Sequence, residues 1–214
     1  MSTTKAIIFD LDGVLIDSLP IHYKSYVKLY SEYGIRYPFS EFVSRDITAG
    51  AMNAIPRVLK EHGVRADWKE AIKTKNSLMK GIPIKLHKGV LPLLKSLKKN
   101  GYKLAVASGG THDFVHGILK KSDIRKYFDA VITGQDNVKK KPHPDIFLKT
   151  AKKLGVKPRE CVVIEDSHDG VIAAKRAKMK AVGHYRPRYG QNLSEADKVV
   201  RSMAQIGVKM IGNM

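Results

Sequence analysis

The sequence has a single cysteine, Cys161. None of its uninterrupted apolar runs approaches the length of about 20 residues that a membrane-spanning helix requires. One cysteine excludes an intrachain disulfide framework and a cysteine-based zinc cage. Residues 1–5 lack the basic and long apolar regions of a secretion signal, because the short run Ala6–Phe9 is followed at once by Asp10. We therefore expect a globular protein of the reducing cytoplasm, with no membrane partner.

Acidic residues are also scarce, at 20 against 39 lysines and arginines, which gives a formal net charge of +19. Such a field attracts phosphorylated small molecules, nucleic acids or acidic membrane surfaces without choosing among them. Aromatic residues make up only 7% of the chain. The basic residues are dispersed at helical spacing, as in Lys149, Lys152 and Lys153, which is typical of a solvated face and disfavours a nucleic-acid groove. Charge and composition thus weaken the case for a nucleic-acid partner and leave small phosphorylated molecules among the candidates, and the oligomeric state stays open.

Five short apolar runs recur along the chain, at residues 6–9, 104–107, 130–132, 161–164 and 181–182. Such runs predict buried parallel strands. Between the later runs, apolar residues repeat at the 3.6-residue spacing of a helix, within residues 114–119, 146–154 and 171–174. The pattern predicts an α/β fold with a Rossmann-like parallel sheet and right-handed crossovers.

Residues 17–82 interrupt this rhythm, because they contain helical patterns and no buried-strand signal. We interpret them as an inserted α-helical cap, with residues 1–16 and 83–214 forming the α/β core. Pro83 and the loop at residues 84–89 mark the expected return to the core. The insert carries a net charge of +4 and the remainder +15, so the positive excess belongs to the α/β part.

Polar residues follow the apolar runs, where parallel strands of an open sheet place their ligand crevice. They are Asp10, Ser108, Thr133, Glu165 and Asp166. Asp10 and Asp12 stand two residues apart before Gly13, and two such carboxylates are costly unless a cation offsets them. Mg²⁺ is the cation that oxygen ligands of this type favour. The alternative is a strand-end turn with an aspartate cap.

Two further segments could bind an anion. Ser108 and Gly109 precede a predicted helix, whose N-terminal amides attract phosphate oxygens, although Ser108 or Thr111 could equally be an ordinary helix cap. The run from Lys139 to Lys141 precedes two prolines that stiffen its loop. One fixed lysine could there neutralise phosphate and carboxylates together, and a solvated charged face is the alternative.

These motifs together resemble the haloacid dehalogenase-like hydrolases, specifically those with a helical cap after the first strand, which include sugar phosphatases and β-phosphoglucomutase. The resemblance covers nearly the whole chain. The matching motifs are Asp10-Leu-Asp12-Gly-Val, Ser108, Lys141-Pro-His-Pro-Asp145 and Val163-Ile-Glu165-Asp166-Ser167. Departures from the family pattern stand beside these motifs: Lys140, Lys88 and Lys178 occupy positions where the family usually has glycine or proline.

The resemblance implies a role for each motif. Asp10 is the expected nucleophile, which forms an aspartyl-phosphate, and Asp12 the expected acid and base. Ser108, the Gly109 amide and Lys141 are expected to bind the phosphoryl oxygens. The expected ligands of Mg²⁺ are Asp10, the Asp12 carbonyl, Asp166 and Glu165.

The cap sequence decides less about the substrate. His22 lies where β-phosphoglucomutase has a histidine that couples sugar binding to catalysis, and it is a candidate substrate-binding residue. Asn53 stands where the mutase has an arginine for the distal phosphate, which favours a phosphatase, although Arg45 and Arg57 are near in sequence. A Schiff-base phosphonate hydrolase would need a cap lysine such as Lys73 or Lys75. A non-enzymatic basic anion-binding protein would explain the charge but not the acidic strand ends.

Overall fold

The computed structural model describes residues 4–79 and 84–214. The described residues form two compact units, one within Met1–Asp17 and Lys85–Met214 and the other within Ser18–Ile84. Pro83, where we placed the return to the core, lies outside the described residues. In the described part of the chain, none of the helices has the length and apolar character to cross a membrane.

A six-stranded parallel sheet forms the centre of the first unit. The strands are β1 (Ala6–Phe9), β2 (Lys103–Ser108), β3 (Ala130–Thr133), β4 (Cys161–Glu165), β5 (Lys180–His184) and β6 (Lys198–Val200). Their order across the sheet is β3-β2-β1-β4-β5-β6. From β1 the chain adds β2 and β3 on one side, and then crosses to the other side of β1 to add β4, β5 and β6. The fold is the Rossmann-like α/β class that the sequence predicts.

The five apolar runs of the sequence coincide with β1 to β5, which confirms those strands. They are buried because helices cover the sheet, and this selects continuous apolar runs over alternating ones. The sequence pattern missed β6. Lys198 and Val199 are exposed in this edge strand and only Val200 is buried, so no apolar run marks it.

Among the described residues of the second unit, five segments are α-helical: α1 (Leu19–Ser31), α2 (Phe39–Glu41), α3 (Ile47–Ala49), α4 (Ala51–Glu61) and α5 (Trp68–Met79). A π-helical turn, Phe42–Asp46, links α2 and α3. Gly50 has φ 69°, a left-handed value that separates α3 from α4. The core of this unit combines aliphatic side chains with the aromatic rings of Tyr26, Tyr30, Tyr37 and Phe42.

The remaining helices surround the sheet in the first unit. They are α6 (Val90–Lys99), α7 (His112–Lys121), α8 (Asp145–Leu154), α9 (His168–Arg176) and α10 (Val208–Gly212). The apolar faces of α7, α8 and α9 were predicted from their 3.6-residue spacing, and residues such as Val115, Phe147 and Val171 are fully buried. Helices α8 and α9 pack on one continuous core with β1 to β5.

Candidate active site

The carboxyl ends of β1, β2 and β4 carry the predicted site residues. Because β1 lies between β2 and β4, these three strand ends are adjacent in the sheet. Asp10 follows β1 directly, Ser108 is the last residue of β2, and Glu165 is the last residue of β4. All three side chains are buried, with exposures of 7%, 1% and 1%.

Lys141 reaches this edge from the loop between β3 and α8. Its ammonium donates to Asp10 Oδ1 at 2.6 Å, to Glu165 Oε1 at 2.5 Å and to the Ala107 carbonyl at 3.3 Å. One ammonium group thus joins all three strand ends. Burial opposes its charge, but the Asp10 and Glu165 carboxylates hold the pKa of Lys141 above its ordinary value.

The neighbouring lysines of the same run differ from Lys141. Lys139 and Lys140 are exposed, whereas the Lys141 side chain is 15% exposed. The Phe147 ring lies 5.1 Å from the Lys141 ammonium, and Arg176 Nη1 donates to the Pro142 carbonyl at 3.0 Å, which ties the loop to α9. The run is therefore a solvated face at its first two positions and a fixed internal cation at the third.

The environment of Asp10 is strongly acidic. Burial raises the pKa of Asp10 well above its usual range, Lys141 opposes that rise, and the carboxylates of Glu165, Asp166 and Asp12 add to it. The cost of assembling these carboxylates is thus only partly offset by Lys141. An additional cation or a proton is required to balance the group.

Glu165 organises the loop that follows β4. Its Oε2 accepts hydrogen bonds from the Asp166 amide at 2.9 Å, the Ser167 amide at 3.0 Å and the Ser167 hydroxyl at 2.9 Å. Gly170 packs against this carboxylate so closely that a Cβ there would lie 1.9 Å from Glu165 Oε1. The glycine of this segment is therefore required by space rather than by backbone conformation. Whether Oε1 also ligates a metal stays a prediction.

Asp166 has partners that the sequence did not indicate. Arg186 Nη2 donates to Asp166 Oδ2 at 2.5 Å, and Gln191 Nε2 donates to the same oxygen at 3.1 Å and to the Asp166 carbonyl at 2.8 Å. Burial raises the pKa of Asp166 to about 7, although Arg186 favours the charged form. Arg186 follows β5, so extending the search for polar strand ends past residues 181–182 would have found it.

The segment after β2 provides a hydroxyl and backbone amides. Ser108 Oγ accepts from the Gly110 amide at 3.1 Å, and Thr111 is the N-cap of α7. Of the two capping alternatives, Thr111 is therefore the one observed. The space beside Gly109 is open, since a Cβ at this position would meet no atom within 4 Å. A ligand can therefore approach the backbone here closely.

A family model described as haloacid dehalogenase-like hydrolase matches residues 7–184, which is most of the chain and includes every one of these strand ends. The protein belongs to the haloacid dehalogenase-like hydrolases. The resemblance seen in the motifs is thereby confirmed.

Individual relatives agree with this family assignment. The chain is 30% identical over 182 residues to a phosphorylated carbohydrates phosphatase of Thermotoga maritima, covering 83% of each protein. It is 31% identical over 218 residues to the β-phosphoglucomutase of Bacillus subtilis, covering 97% of this chain and 93% of the relative. Among solved structures, a Haemophilus somnus protein described as a predicted phosphoglycolate phosphatase matches with a TM-score of 0.87 and 26% identity, covering 98% and 99% of the two chains.

The hydrolase site offers oxygen donors suited to a hard cation. Asp10, Asp166 and the Asp12 carbonyl all belong to the carboxyl edge of the sheet, and carboxylate and carbonyl oxygens are what Mg²⁺ prefers. Both hydrogen bonds that the described residues give to the Asp166 carboxylate reach Oδ2, which leaves Oδ1 for a further ligand. No cluster of three or more His, Cys, Asp or Glu side chains within residues 4–79 and 84–214 has metal-binding geometry. A set that combines carboxylates with a backbone carbonyl therefore fits Mg²⁺, which takes its remaining ligands from water and phosphate.

His22 and the cap residues lie in the second unit of the hydrolase. Lys75 Nζ donates to His22 Nδ1 at 2.9 Å, and the Lys75 amine is 5.0 Å from the Tyr26 ring. Burial, followed by the charge of Lys75, lowers the pKa of His22 to about 3. Lys73, the other lysine considered for a Schiff base, is exposed and pairs with Glu70.

The arginines considered as substitutes for a mutase arginine are engaged within the second unit. Arg57 Nη2 donates to both Asp46 oxygens, at 2.9 and 2.8 Å, and Arg45 Nη2 donates to Glu61 at 2.8 Å. Asn53 Nδ2 donates to the Ala49 carbonyl at 3.0 Å. Carboxylates thus already neutralise both guanidinium groups.

Proposed function

We propose that the protein is a Mg²⁺-dependent phosphomonoester hydrolase that acts on a small phosphorylated metabolite of the sugar-phosphate type. The observation that carries the proposal is the Lys141 ammonium held between Asp10 and Glu165 at the junction of three strand ends. A structural cap or a solvated lysine would not bury a cation among carboxylates. Membership of the hydrolase family and the named phosphatase relatives support the same reaction.

Asp10 is the proposed nucleophile. One of its carboxylate oxygens forms a bond to phosphorus while the bond from phosphorus to the leaving oxygen breaks, and an aspartyl-phosphate results. Asp12 gives its proton to the leaving oxygen, and then takes a proton from the water that attacks phosphorus and restores Asp10. Lys141 holds the Asp10 carboxylate through Oδ1 and favours its ionised form, which opposes the rise in the pKa of Asp10 that burial causes.

Phosphate recognition is proposed for Ser108, the Gly109 amide and Lys141. The open space beside Gly109 supports close approach of an anion to the backbone. The N-terminus of α7 adds the partial positive charge of its amides. Donors fixed before substrate arrives can stabilise charge in the transition state without reorganising.

Asp10, the Asp12 carbonyl, Asp166 and Glu165 are the proposed ligands of Mg²⁺. When bound, the ion supplies positive charge that offsets the repulsion between the carboxylates and the phosphate dianion. Hydrogen bonds fix Glu165 through both of its oxygens and Asp166 through Oδ2, so these carboxylates are oriented before a metal binds. A cytoplasmic location completes the proposal, since phosphorylated metabolites are found there.

The test is hydrolysis of a generic aryl phosphate with and without Mg²⁺, in the wild type and in Asp10→Asn. We expect turnover that requires Mg²⁺ and is lost in this variant, whereas Asp123→Asn, at an exposed aspartate that follows α7, should keep its turnover. Turnover that persists in Asp10→Asn would refute the proposal. Absence of turnover, with anion binding that changes with neither Mg²⁺ nor the substitution, would instead indicate a non-enzymatic anion-binding protein. A screen of phosphorylated metabolites for phosphate release would then identify the substrate.

A β-phosphoglucomutase-type reaction is the second candidate. The mutase relative of Bacillus subtilis matches 97% of the chain, more than the 83% matched by the phosphatase of Thermotoga maritima. Against it, Arg45 and Arg57 are neutralised by carboxylates of their own unit. The two reactions separate when β-glucose 1-phosphate is supplied with a catalytic amount of its bisphosphate. Glucose 6-phosphate in preference to free phosphate would establish the mutase, in which His22 is the proposed sugar-binding residue.

A further inference from the structure

The ion pair between Arg186 and Asp166 joins the ends of two adjacent strands. Asp166 follows β4, and Arg186 follows β5, which pairs with β4. The Nη2–Oδ2 distance is 2.5 Å, and the two side chains are only 10% and 14% exposed. The pair therefore belongs to the interior of the α/β unit rather than to its surface.

Other residues hold the guanidinium of Arg186 in this position. Gln191 donates to Asp166 and accepts from the Arg186 amide at 2.7 Å, so it bridges the two residues. The Tyr189 ring lies 4.7 Å from the guanidinium carbon. Asp17 Oδ1 is 3.4 Å from Nη1. With its orientation set from several sides, the guanidinium cannot leave Asp166 without breaking this arrangement.

Gly13, beside the two aspartates of the nucleophile motif, leaves room for the pair. A Cβ on Gly13 would lie 2.1 Å from Asp166 Oδ2 and 2.5 Å from Arg186 Nη2. The backbone of the motif therefore approaches both members of the pair, and its φ of 77° is itself unfavourable for other residues. Arg186 is thus packed against the segment that includes Asp12.

The effect of Arg186 depends on the other charged groups at this edge of the sheet. Four carboxylates, those of Asp10, Asp12, Glu165 and Asp166, interact with one another electrostatically. Two buried cations, Lys141 and Arg186, contact them. Asp17, 3.4 Å from Arg186 Nη1, adds a fifth carboxylate. With these seven groups ionised, the formal charge of the set is −3, and without Arg186 it would be −4.

We infer that Arg186 is an internal counter-ion that shares Asp166 with the divalent cation, and so weakens the binding of that cation. The inference rests on the proposed function, because it takes Asp166 as a metal ligand. In the metal-free protein Arg186 neutralises Asp166 and keeps the loop after β4 in place. When Mg²⁺ binds, the guanidinium stays on Oδ2 and the two cations repel one another across one carboxylate.

The test measures Mg²⁺ binding by calorimetry, with no substrate present. Arg186→Gln removes the charge and keeps a hydrogen-bond donor, so we expect its dissociation constant for Mg²⁺ to fall about tenfold, because a positive charge that repels the ion is removed. Arg186→Lys keeps the charge and should remain near the wild-type value. Arg159→Gln, at an exposed arginine, should leave the binding constant unchanged.

Thermal unfolding gives an independent measurement. Without metal, Arg186→Gln should melt below the wild type, because Asp166 loses its counter-charge. Saturating Mg²⁺ should raise the melting temperature of the variant more than that of the wild type, since tighter binding to the folded state stabilises it more. If Arg186→Gln does not fold, Gln191→Ala serves instead, and should bind Mg²⁺ more tightly than the wild type because the guanidinium is held less firmly.

Three results would overturn the inference. Unchanged or weaker Mg²⁺ binding in Arg186→Gln, or in Gln191→Ala when it is the variant that folds, would show that the pair only positions Asp166. Equally tight binding by Arg186→Lys and Arg186→Gln would show that charge is not the cause. A wild-type protein that binds no Mg²⁺ would remove the proposed function as well, which distinguishes that failure from the first two.

Discussion

The Lys141 ammonium lies 2.6 Å from the Asp10 carboxylate, although the two residues are 131 positions apart in the chain. The same ammonium lies 2.5 Å from Glu165. Breaking a buried pair of this kind leaves an uncompensated charge, which is strongly destabilising. The contact is therefore as much a part of the stability of the sheet edge as of its chemistry.

Alanine substitutions should show that Lys141 contributes to activity and that its neighbours Lys139 and Lys140 do not. We expect Lys141→Ala to lower kcat/KM for an aryl phosphate by about 100-fold or more, the usual cost of a buried catalytic donor. Lys139→Ala and Lys140→Ala remove exposed charges that salt screens, and should change kcat/KM by less than about threefold. Steady-state kinetics of the three variants at one ionic strength would check this. Equal effects at all three positions would show the run to act only as a charged face.

Two helical glycines provide a matched pair. A Cβ on Gly170 would lie 1.9 Å from the Glu165 carboxylate, whereas one on Gly117 would meet nothing within 4 Å. We expect Gly170→Ala to cost about 1–3 kcal/mol of unfolding free energy and to displace Glu165 from Lys141, with loss of turnover. Gly117→Ala should gain up to about 1 kcal/mol from helix propensity and keep full activity. Urea unfolding and an aryl phosphate assay measure both; an active, stable Gly170→Ala protein would contradict the structure.

His22 predicts how stability changes with pH. Its pKa is lowered from 6.5 to about 3 in the folded protein, by burial and by Lys75. Below pH 6.5, His22 is therefore protonated in the unfolded chain but not in the folded protein. The free energy of unfolding consequently decreases as the pH falls toward 3. The contribution of His22 is roughly 1 kcal/mol of unfolding free energy for each pH unit.

The measurement for His22 is urea unfolding at several pH values. His22→Gln should show a shallower fall in unfolding free energy between pH 6.5 and pH 4 than the wild type. His62→Gln, at an exposed histidine of the same unit, should follow the wild-type curve. Identical curves for all three proteins would contradict the burial of a neutral His22.

Substitution of Arg57 would leave a buried carboxylate without this partner, whereas substitution of Arg45 would affect an exposed carboxylate. The Asp46 side chain is fully buried and pairs with Arg57, whereas Arg45 is 48% exposed and pairs with Glu61. Arg57→Gln should therefore cost about 3 kcal/mol of unfolding free energy, because Asp46 keeps a buried charge. Arg45→Gln should cost less than about 1 kcal/mol. Denaturant unfolding of the two variants checks the difference, and equal costs would contradict the buried pair of Arg57 with Asp46.

Much of the fold could be predicted from the sequence because its signals are local. Five strands appeared as apolar runs, and the helices α7, α8 and α9 as apolar residues at 3.6-residue spacing. Strand β6 could not be found in this way, since an edge strand needs few apolar residues: Lys198 and Val199 point to solvent. Its place is fixed by pairing with β5, a contact that no local pattern records.

The candidate site was predicted less evenly. The order of polar residues at strand ends identified Asp10, Ser108 and Glu165, because parallel strands must bring their carboxyl ends to one edge. Their catalytic and metal-binding roles stay predictions. Arg186 was missed because the search for polar strand ends stopped at residues 181–182, and Gln191 because its partner, Asp166, lies 25 positions away.

The sequence by itself determined which residue types stand at which strand ends, and with them the family and the class of chemistry. Periodicity and motif spacing are properties of neighbouring residues, so they are readable without a fold. Only the tertiary structure decided which charges meet: that Lys141, which the motif match had already singled out, is held by Asp10 and Glu165, and that Arg186 pairs with Asp166. Such pairings depend on packing between segments that are distant in the chain. Packing buries one cation among carboxylates that need its charge, whereas its sequence neighbours stay in solvent.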